Sequence, residues 1–375
     1  MSERAMEGTK VVEWCQMVTG PYCGKLIADL GAEVIKIEPP RTGDAARFCG
    51  PYPEDIPHRE RSGLFLYCNT NKLGITLEVT SATGREIFKK LVSNADILIE
   101  DRPPGAMEEI GLGYGELRNL NPGLIMVSIT PFGQTGPHRH YKMYHLNLIH
   151  GAGGGYLTPN VTEDSLHREP LKGGGRLDEF SAGLSAALGA LAALYCQGLT
   201  GLGQHLDISK QQAVMDLDRV HVATWANTGR SPERTGRPSG SQIYRCMNGF
   251  VVISPYLDHM WQGLVDLMGR PQWALHPKFD GQVDRDEHAA ELSAGVQQWV
   301  AGRTVDEVYH GGQSRGCPVG IVRDAADLAR CAQYRARGFF VEVDHPEAGG
   351  IQLPSCHYQF SETPWAGVRP APLLG

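Results

Sequence analysis

Short apolar, β-branched runs alternate with amphipathic stretches along the first third of the chain. TKVVEW reads as a buried strand; Gly20–Pro21 then breaks the chain, and CGKLIADLG reads as a helix closed by Gly31. AEVIKIE follows as a second strand, ended by Pro39–Pro40. Further on, ATGREIFKKLVSNA is amphipathic and ADILIE apolar, and LGYGELRNLNP precedes LIMVSIT in the same way. Helix followed by short strand, repeated, predicts a parallel sheet with helices on its faces, a Rossmann-like α/β architecture. No GxGxxG opens the first helix, so a dinucleotide fingerprint is absent.

The pattern changes at Leu171–Tyr195, LKGGGRLDEFSAGLSAALGALAALY. Gly173, Gly174 and Gly175 lead to the adjacent carboxylates Asp178 and Glu179, and no charged residue (histidine aside) follows until Asp207. Small residues at that density let other backbone segments approach, which predicts a buried helix. The two acids fall in its first turn, where unpaired N–H groups and the helix dipole favour negative charge. Either Asp178 caps the helix while Glu179 complements its positive end, or one carboxylate is a nucleophile at the mouth of a glycine-lined cleft.

Between Pro131 and Gly175 the chain is rich in Gly, His and Tyr, which suggests loops lining a site. TGRSPERTGRPSG, Thr228 to Gly240, is the best candidate linker. Beyond it, IYRCMNGFVVISP predicts a hairpin turning at Asn248–Gly249. Helical segments over His259–Met268, Ala289–Val300 and Val305–His310 complete a smaller α+β unit, and VEVDHPEAGGIQLP predicts another hairpin.

Composition narrows the chemistry. A chain of 375 residues has room for two domains at ~150 residues each, and 41% hydrophobic with 21% charged residues describes an ordinary soluble protein. The net charge of −7 makes no electrostatic case for nucleic acid, and no basic run suggests a membrane surface. No uninterrupted apolar stretch reaches the ~18 residues of a membrane span, and MSERAMEGTK lacks a signal-peptide core. Nine cysteines without CxxC spacing predict buried, reduced thiols in a cytoplasmic protein, and the fourteen histidines show no familiar metal spacing, so no metal is expected.

Several blocks together resemble the class III CoA-transferase family, the group of formyl-CoA transferase, the carnitine CoA-transferases and the α-methylacyl-CoA racemases. They are GPYCGKLIADLGAEVIKIEPPRTGD, CNTNKLGITLE, ADILIEDRPPGAMEEIGLGYGELRNLNPGLIMVSITPFGQTGP, TGLGQHLDIS, GCPVGIVRDAADL, RGFFVEVDHPEAGGIQLP and the terminal PLLG. Their ordered combination, over nearly the whole chain, is specific where no single block is. The resemblance implies an interlocked dimer of a Rossmann-like large domain (1–227), a linker and glycine-rich loop (228–242), a small α+β domain (243–330) and a C-terminal segment returning to the large domain (331–375). The partner would be a second copy or a paralogous subunit.

The resemblance also implies a mechanism. A carboxylate at the start of a small-residue helix attacks the acyl-CoA thioester, giving a mixed anhydride and then an enzyme-bound CoA thioester that the acceptor acid resolves. No metal or redox cofactor takes part; the CoA thioester is itself a substrate. The family's acid stands four residues before a glycine. With Gly183 as that glycine, the position falls on Glu179 rather than Asp178, a departure from the usual aspartate. Glu179 is the favoured nucleophile, with Asp178 reached by a one-residue slip as an alternative, and loss of the nucleophile in a silent subunit as another. A racemase would instead pair His145 with Glu179, although the family's His-Asp pair is here Tyr144–His145. Val18-Thr19-Gly20-Pro21 lacks the glutamine of the formyl-CoA transferase type, which favours a less polar substrate than oxalate. Lys36, Arg41 and Arg47 are candidates for the CoA phosphates, Lys142 and Tyr144 for a CoA contact, and backbone N–H groups of Gly240, Ser241 and Gln242 for oxyanion stabilisation.

Overall fold

The computed structural model describes residues 4–156, 158, 169–171, 173–231, 241–365 and 367–375. They form two compact units, one drawn from Met1–Thr158, Leu171–Ser231 and Gln333–Gly375, the other from Pro159–Pro170 and Pro232–Ala332.

Six strands build the larger unit: β1 (Lys10–Trp14), β2 (Glu33–Glu38), β3 (Leu73–Thr76), β4 (Ile97–Glu100), β5 (Ile125–Thr130) and β6 (His205–Ser209). All pair in parallel, in the order β3-β2-β1-β4-β5-β6. This is a Rossmann order, whose direction reverses between β1 and β4, the place where such sheets open a crevice at their carboxyl ends. The central strands read as unbroken apolar runs because both faces are covered. Alternate residues divide between two cores: Ile97, Ile99, Ile125 and Val127 face one, Leu98 and Met126 the other, with Phe88, Val92 and Leu117. The edge strands β3 and β6 are only partly buried and had no apolar run to announce them.

Gly20–Pro21 does not break the chain. Both lie inside the first turn of the Thr19–Asp29 helix, where the missing proline N–H has no intrahelical acceptor to serve. Between Pro131 and Gly175 the chain is not all loop either, since His145–Gly151 is helical.

The acid-led helix spans Leu177–Thr200. It is not buried all round: Ala182, Gly183, Ala186, Ala187, Ala190 and Ala193 are buried, whereas Leu184, Leu188, Tyr195 and Leu199 are exposed. The small face lets the helix lie close against Thr19–Asp29; a Cβ on Gly183 would sit 2.7 Å from the Thr19 carbonyl oxygen. By length and composition this helix could cross a membrane, contrary to the reading of the sequence. Its apolar length is used here to cover β5 and β6 and the neighbouring helix.

A hairpin of β10 (Phe340–His345) and β11 (Gly349–Pro354) precedes the tail, whose Arg369 exchanges bonds with Asn71 and whose Gly375 carbonyl accepts from Thr76 beside β3. In the smaller unit β7 (Gln242–Cys246), β8 (Gly249–Ile253) and β9 (Val319–Ile321) form an antiparallel sheet. Cys246 pairs with Gly249, so its tight turn is Met247–Asn248, one residue earlier than expected. Helices Asp258–Leu267, Ala289–Val300 and Val305–Gln313 pack on it around Trp261, Val296 and Val308.

Candidate active site

The loops that leave β1 and β4 are tied together where the sheet reverses. The Gln16 N–H donates to Asp101 Oδ2 (2.8 Å), and the Met17 N–H to Asp44 Oδ1 (2.8 Å). The Arg102 guanidinium pairs with Asp101 and lies 4.9 Å from the centre of the Trp14 ring.

Lys36 and Arg47, expected as phosphate ligands, are instead buried ion-pair partners. Lys36 Nζ lies 3.0 Å from Glu13 and 2.8 Å from Asp44, with no side-chain exposure. Burial alone would lower its pKa, but Asp44, Glu13 and Glu38 hold it above the ordinary lysine value. Lys72 makes a second pair with Glu13, and Gly24 leaves the space through which that pair passes. Arg47 is held by Glu38 and Glu60 and donates to the Pro372 carbonyl. Its guanidinium stacks 3.6 Å from the Phe65 ring centre. Of the three cations, Arg41 alone is exposed, in a left-handed conformation on the loop after β2.

Another set of cations opens on a cavity of about 340 Å³ at the carboxyl ends of β4 and β5. Asp101, Arg102, Arg139, Lys142, Tyr144 and Lys210 are among its walls. Lys142 and Tyr144, expected at a CoA contact, both line this cavity. Nothing in the spacing of Arg102, Arg139 and Lys210 along the sequence announces that two loops and the head of a helix meet at one opening.

Tyr144 joins this cavity to the acids. The next residue, His145, opens the His145–Gly151 helix, and its charge acts on Asp178. Asp178 is 2% exposed and Glu179 8%, both in the first turn of Leu177–Thr200. Asp178 is not the cap; Arg176 occupies that position, without a side-chain cap bond. Burial raises the Asp178 pKa, against the opposing pull of a backbone bond and of His145. Asp178 Oδ2 and His145 Nδ1 are both buried without a hydrogen-bond partner among the described residues. Glu179 Oε2 accepts from Arg176 Nη1 at 2.9 Å. Phe180 packs edge-on against Tyr22, ring centres 4.9 Å apart, and fixes the turn that carries the acids.

Gly240 lies outside the described residues. Ser241 and Gln242 belong to the smaller unit, where Gln242 opens β7 and accepts a hydrogen bond from Ser293 (2.9 Å). Among the described residues all nine cysteines are free, five of them buried, and no cluster of His, Cys, Asp and Glu could hold a metal ion.

Comparison with known proteins identifies the class. The family model described as CoA-transferase family III matches residues 6–375. The chain is 33% identical over 377 residues to the succinyl-CoA–D-citramalate CoA-transferase of Chloroflexus aurantiacus, spanning 99% of this chain and 92% of that one. It is 30% identical over 398 residues to a formyl-CoA:oxalate CoA-transferase of Rhodopseudomonas palustris, spanning 99% and 91%. The crystal structure of a CaiB/BaiF family protein from Brucella suis superposes with a TM-score of 0.86 at 29% identity, over 100% of this chain and 97% of that one. The chain belongs to CoA-transferase family III and is an enzyme of that class.

Proposed function

We propose that the cationic cavity holds CoA and that Glu179 is the nucleophile which accepts the acyl group. The observation that supports this reading is that Tyr144 lines the cationic opening while the next residue, His145, acts electrostatically on Asp178, the neighbour of Glu179. Arg102, Arg139, Lys142 and Lys210 supply fixed charge for phosphates. Arg176 Nη1, 2.9 Å from Glu179 Oε2, orients the carboxylate. Attack of its oxygen on the thioester carbonyl forms the anhydride and releases CoA as thiolate. The thiolate then attacks the Glu179 carbonyl, expelling the first acid, and the acceptor carboxylate takes the acyl position in the reverse sequence. Each exchange is redox-neutral. Succinyl-CoA is a suitable first donor to test, given the Chloroflexus relative. Oxalate is a poorer acceptor candidate, given Val18 in place of glutamine. The exposed Leu184, Leu188, Tyr195 and Leu199 give the enzyme an apolar face for a second copy or a paralogous subunit in a dimer.

The experiment is a panel of acyl-CoA donors and labelled acids. Label must enter the thioester pool, and hydroxylamine must inactivate only in the presence of acyl-CoA, with hydroxamate at Glu179. Label exchange without a modified Glu179 peptide refutes the nucleophile. The electrostatic pull of His145 on Asp178 favours one second reading, an acyl-CoA racemase in which His145 acts with Asp178 rather than with Glu179. Deuterium entering the α-carbon, without acid exchange, is the outcome that selects it.

A further inference from the structure

One buried carboxyl near the cavity has no part in the chemistry above. Glu100, the last residue of β4, is 1% exposed and has no cation of its own; the Arg102 guanidinium is turned to Asp101 and Trp14. Its Oε2 accepts the Arg102 N–H at 2.6 Å, the first bond of the loop Asp101–Pro104 that walls the cavity. Ser128, its register partner on β5 and equally buried, stands beside the same carboxylate, and its hydroxyl favours the charged form. The Ser128 oxygen in turn lies 2.8 Å from His205 Nε2, on the exposed edge strand β6, where the imidazole stacks on Tyr114 with ring centres 5.3 Å apart.

We propose that Glu100 is a positioning residue for the transfer reaction: as a carboxylate it holds the Arg102 loop in the form that binds CoA, and Ser128 and His205 connect it to solvent protons. The inference rests on the reading that this cavity takes CoA. With Glu100 ionised, Ser128 donates to it and the His205 Nε2–H donates to Ser128. When a solvent proton binds His205 Nδ1, the Nε2 proton passes to Ser128 Oγ and the Ser128 proton to Glu100. The result is a neutral acid, a neutral imidazole of the other tautomer, and no net change in Ser128. The Arg102 N–H then faces a neutral acceptor, which makes a bond roughly half as strong.

The surroundings set this exchange near neutrality. Burial pushes the Glu100 pKa up to about 7, opposed by the Ser128 and Arg102 N–H bonds; Asp101 adds to the rise and the Arg102 charge opposes it. The Cys15 thiol, from the loop after β1, also senses Glu100; burial keeps it neutral. His205 is pushed down by burial, with Asp207 and Glu108 pulling the other way.

The test is CoA affinity by calorimetry, from about pH 6 to about pH 8, in the wild type, Glu100→Gln, Ser128→Ala and Lys142→Ala, with steady-state kinetics alongside. Glutamine keeps the volume, accepts the Arg102 N–H and donates to Ser128, so it imitates the protonated form. Wild-type affinity should weaken about fivefold as pH falls through 7, while Glu100→Gln stays at the weaker value throughout, raising KM more than it lowers kcat. Ser128→Ala, which removes a donor to the carboxylate, should move the midpoint to higher pH. If Glu100→Gln keeps the wild-type pH dependence, or the split falls on kcat, the inference is overturned while Lys142-dependent binding still stands. If CoA affinity does not depend on Lys142, the reading of the cavity fails first and this inference with it.

Discussion

Two groups of buried carboxylates in the larger unit are treated in opposite ways. Glu13, Glu38 and Asp44 are matched by Lys36, Lys72 and Arg47 at ion-pair distances. Asp178 and Glu100 are as deeply buried, yet neither forms an ion pair among the described residues, and burial raises the pKa of both against the weaker pull of His145 and Arg102. A buried charge with partners is scaffold, since removing one partner strands the other. A buried carboxyl without an ion pair costs stability when ionised, and the larger unit keeps two of them, Glu100 standing one residue before the Asp101–Pro104 wall of the cationic opening. Glu179 stands between these cases, with one Arg176 partner that is itself partly exposed.

The largest effect should come from Glu179→Gln. Transfer should fall by about a thousandfold or more, with CoA binding and thermal stability nearly unchanged, because the amide is isosteric but cannot form the anhydride. Glu179→Asp sharpens the result: in a working enzyme the shorter side chain slows transfer, whereas in a silent subunit it restores the family's residue and creates activity. An unaltered rate in homogeneous Glu179→Gln removes this residue from the mechanism.

On the scaffold side, Lys36→Met should cost about 3–5 kcal/mol in denaturant unfolding, because it strands Asp44 in the interior and leaves Glu13 with Lys72 alone. A loss below about 1 kcal/mol would mean that water reaches this network and that the contrast with Asp178 is false. Next in size, Gly183→Ala should cost about 1–3 kcal/mol and lower kcat, because its methyl meets the Thr19 carbonyl and pushes the acid-bearing turn away. Equal kcat in that variant would show that the small-residue contact does not place the acids.

Asp178→Asn gives the smallest and most discriminating shift. Its folded-state pKa is raised, so the native protein binds the proton more tightly than the unfolded chain. Stability from this group is greatest below the ordinary aspartate range and declines as pH rises through the raised value. Asparagine removes that decline. The variant should therefore melt on the order of 2–4 °C higher than wild type at pH 8, with no gain at pH 4. A lower melting temperature at pH 8 would show that the Asp178 charge is compensated after all.

Much of this was legible before any fold. The apolar runs gave β1, β2, β4 and β5 and the helices between them, since a strand covered on both faces must be apolar throughout. The acid pair was visible because a charge at the head of an uncharged helix has few structural explanations. Less was legible at the margins. β3 and β6 pair at the edges with mixed polarity, and Gly20–Pro21 reads as a break until the helix start is known. The phosphate cations went astray for a related reason. A lysine on a strand reads alike whether it faces solvent or, like Lys36, three carboxylates.

By itself, then, the sequence determined the class of fold, the family and the short list of acids, because periodicity, glycine placement and ordered motifs are local or one-dimensional properties. Tertiary structure decided which cations are partners and which are free, that His145 answers to Asp178, that Arg102, Arg139 and Lys210 share one opening, and that Glu100 connects to His205 through Ser128. The physical reason is common to all of them. Burial and pairing depend on neighbours far apart in the chain, and a charge has no chemical role until its dielectric surroundings and its partners are set.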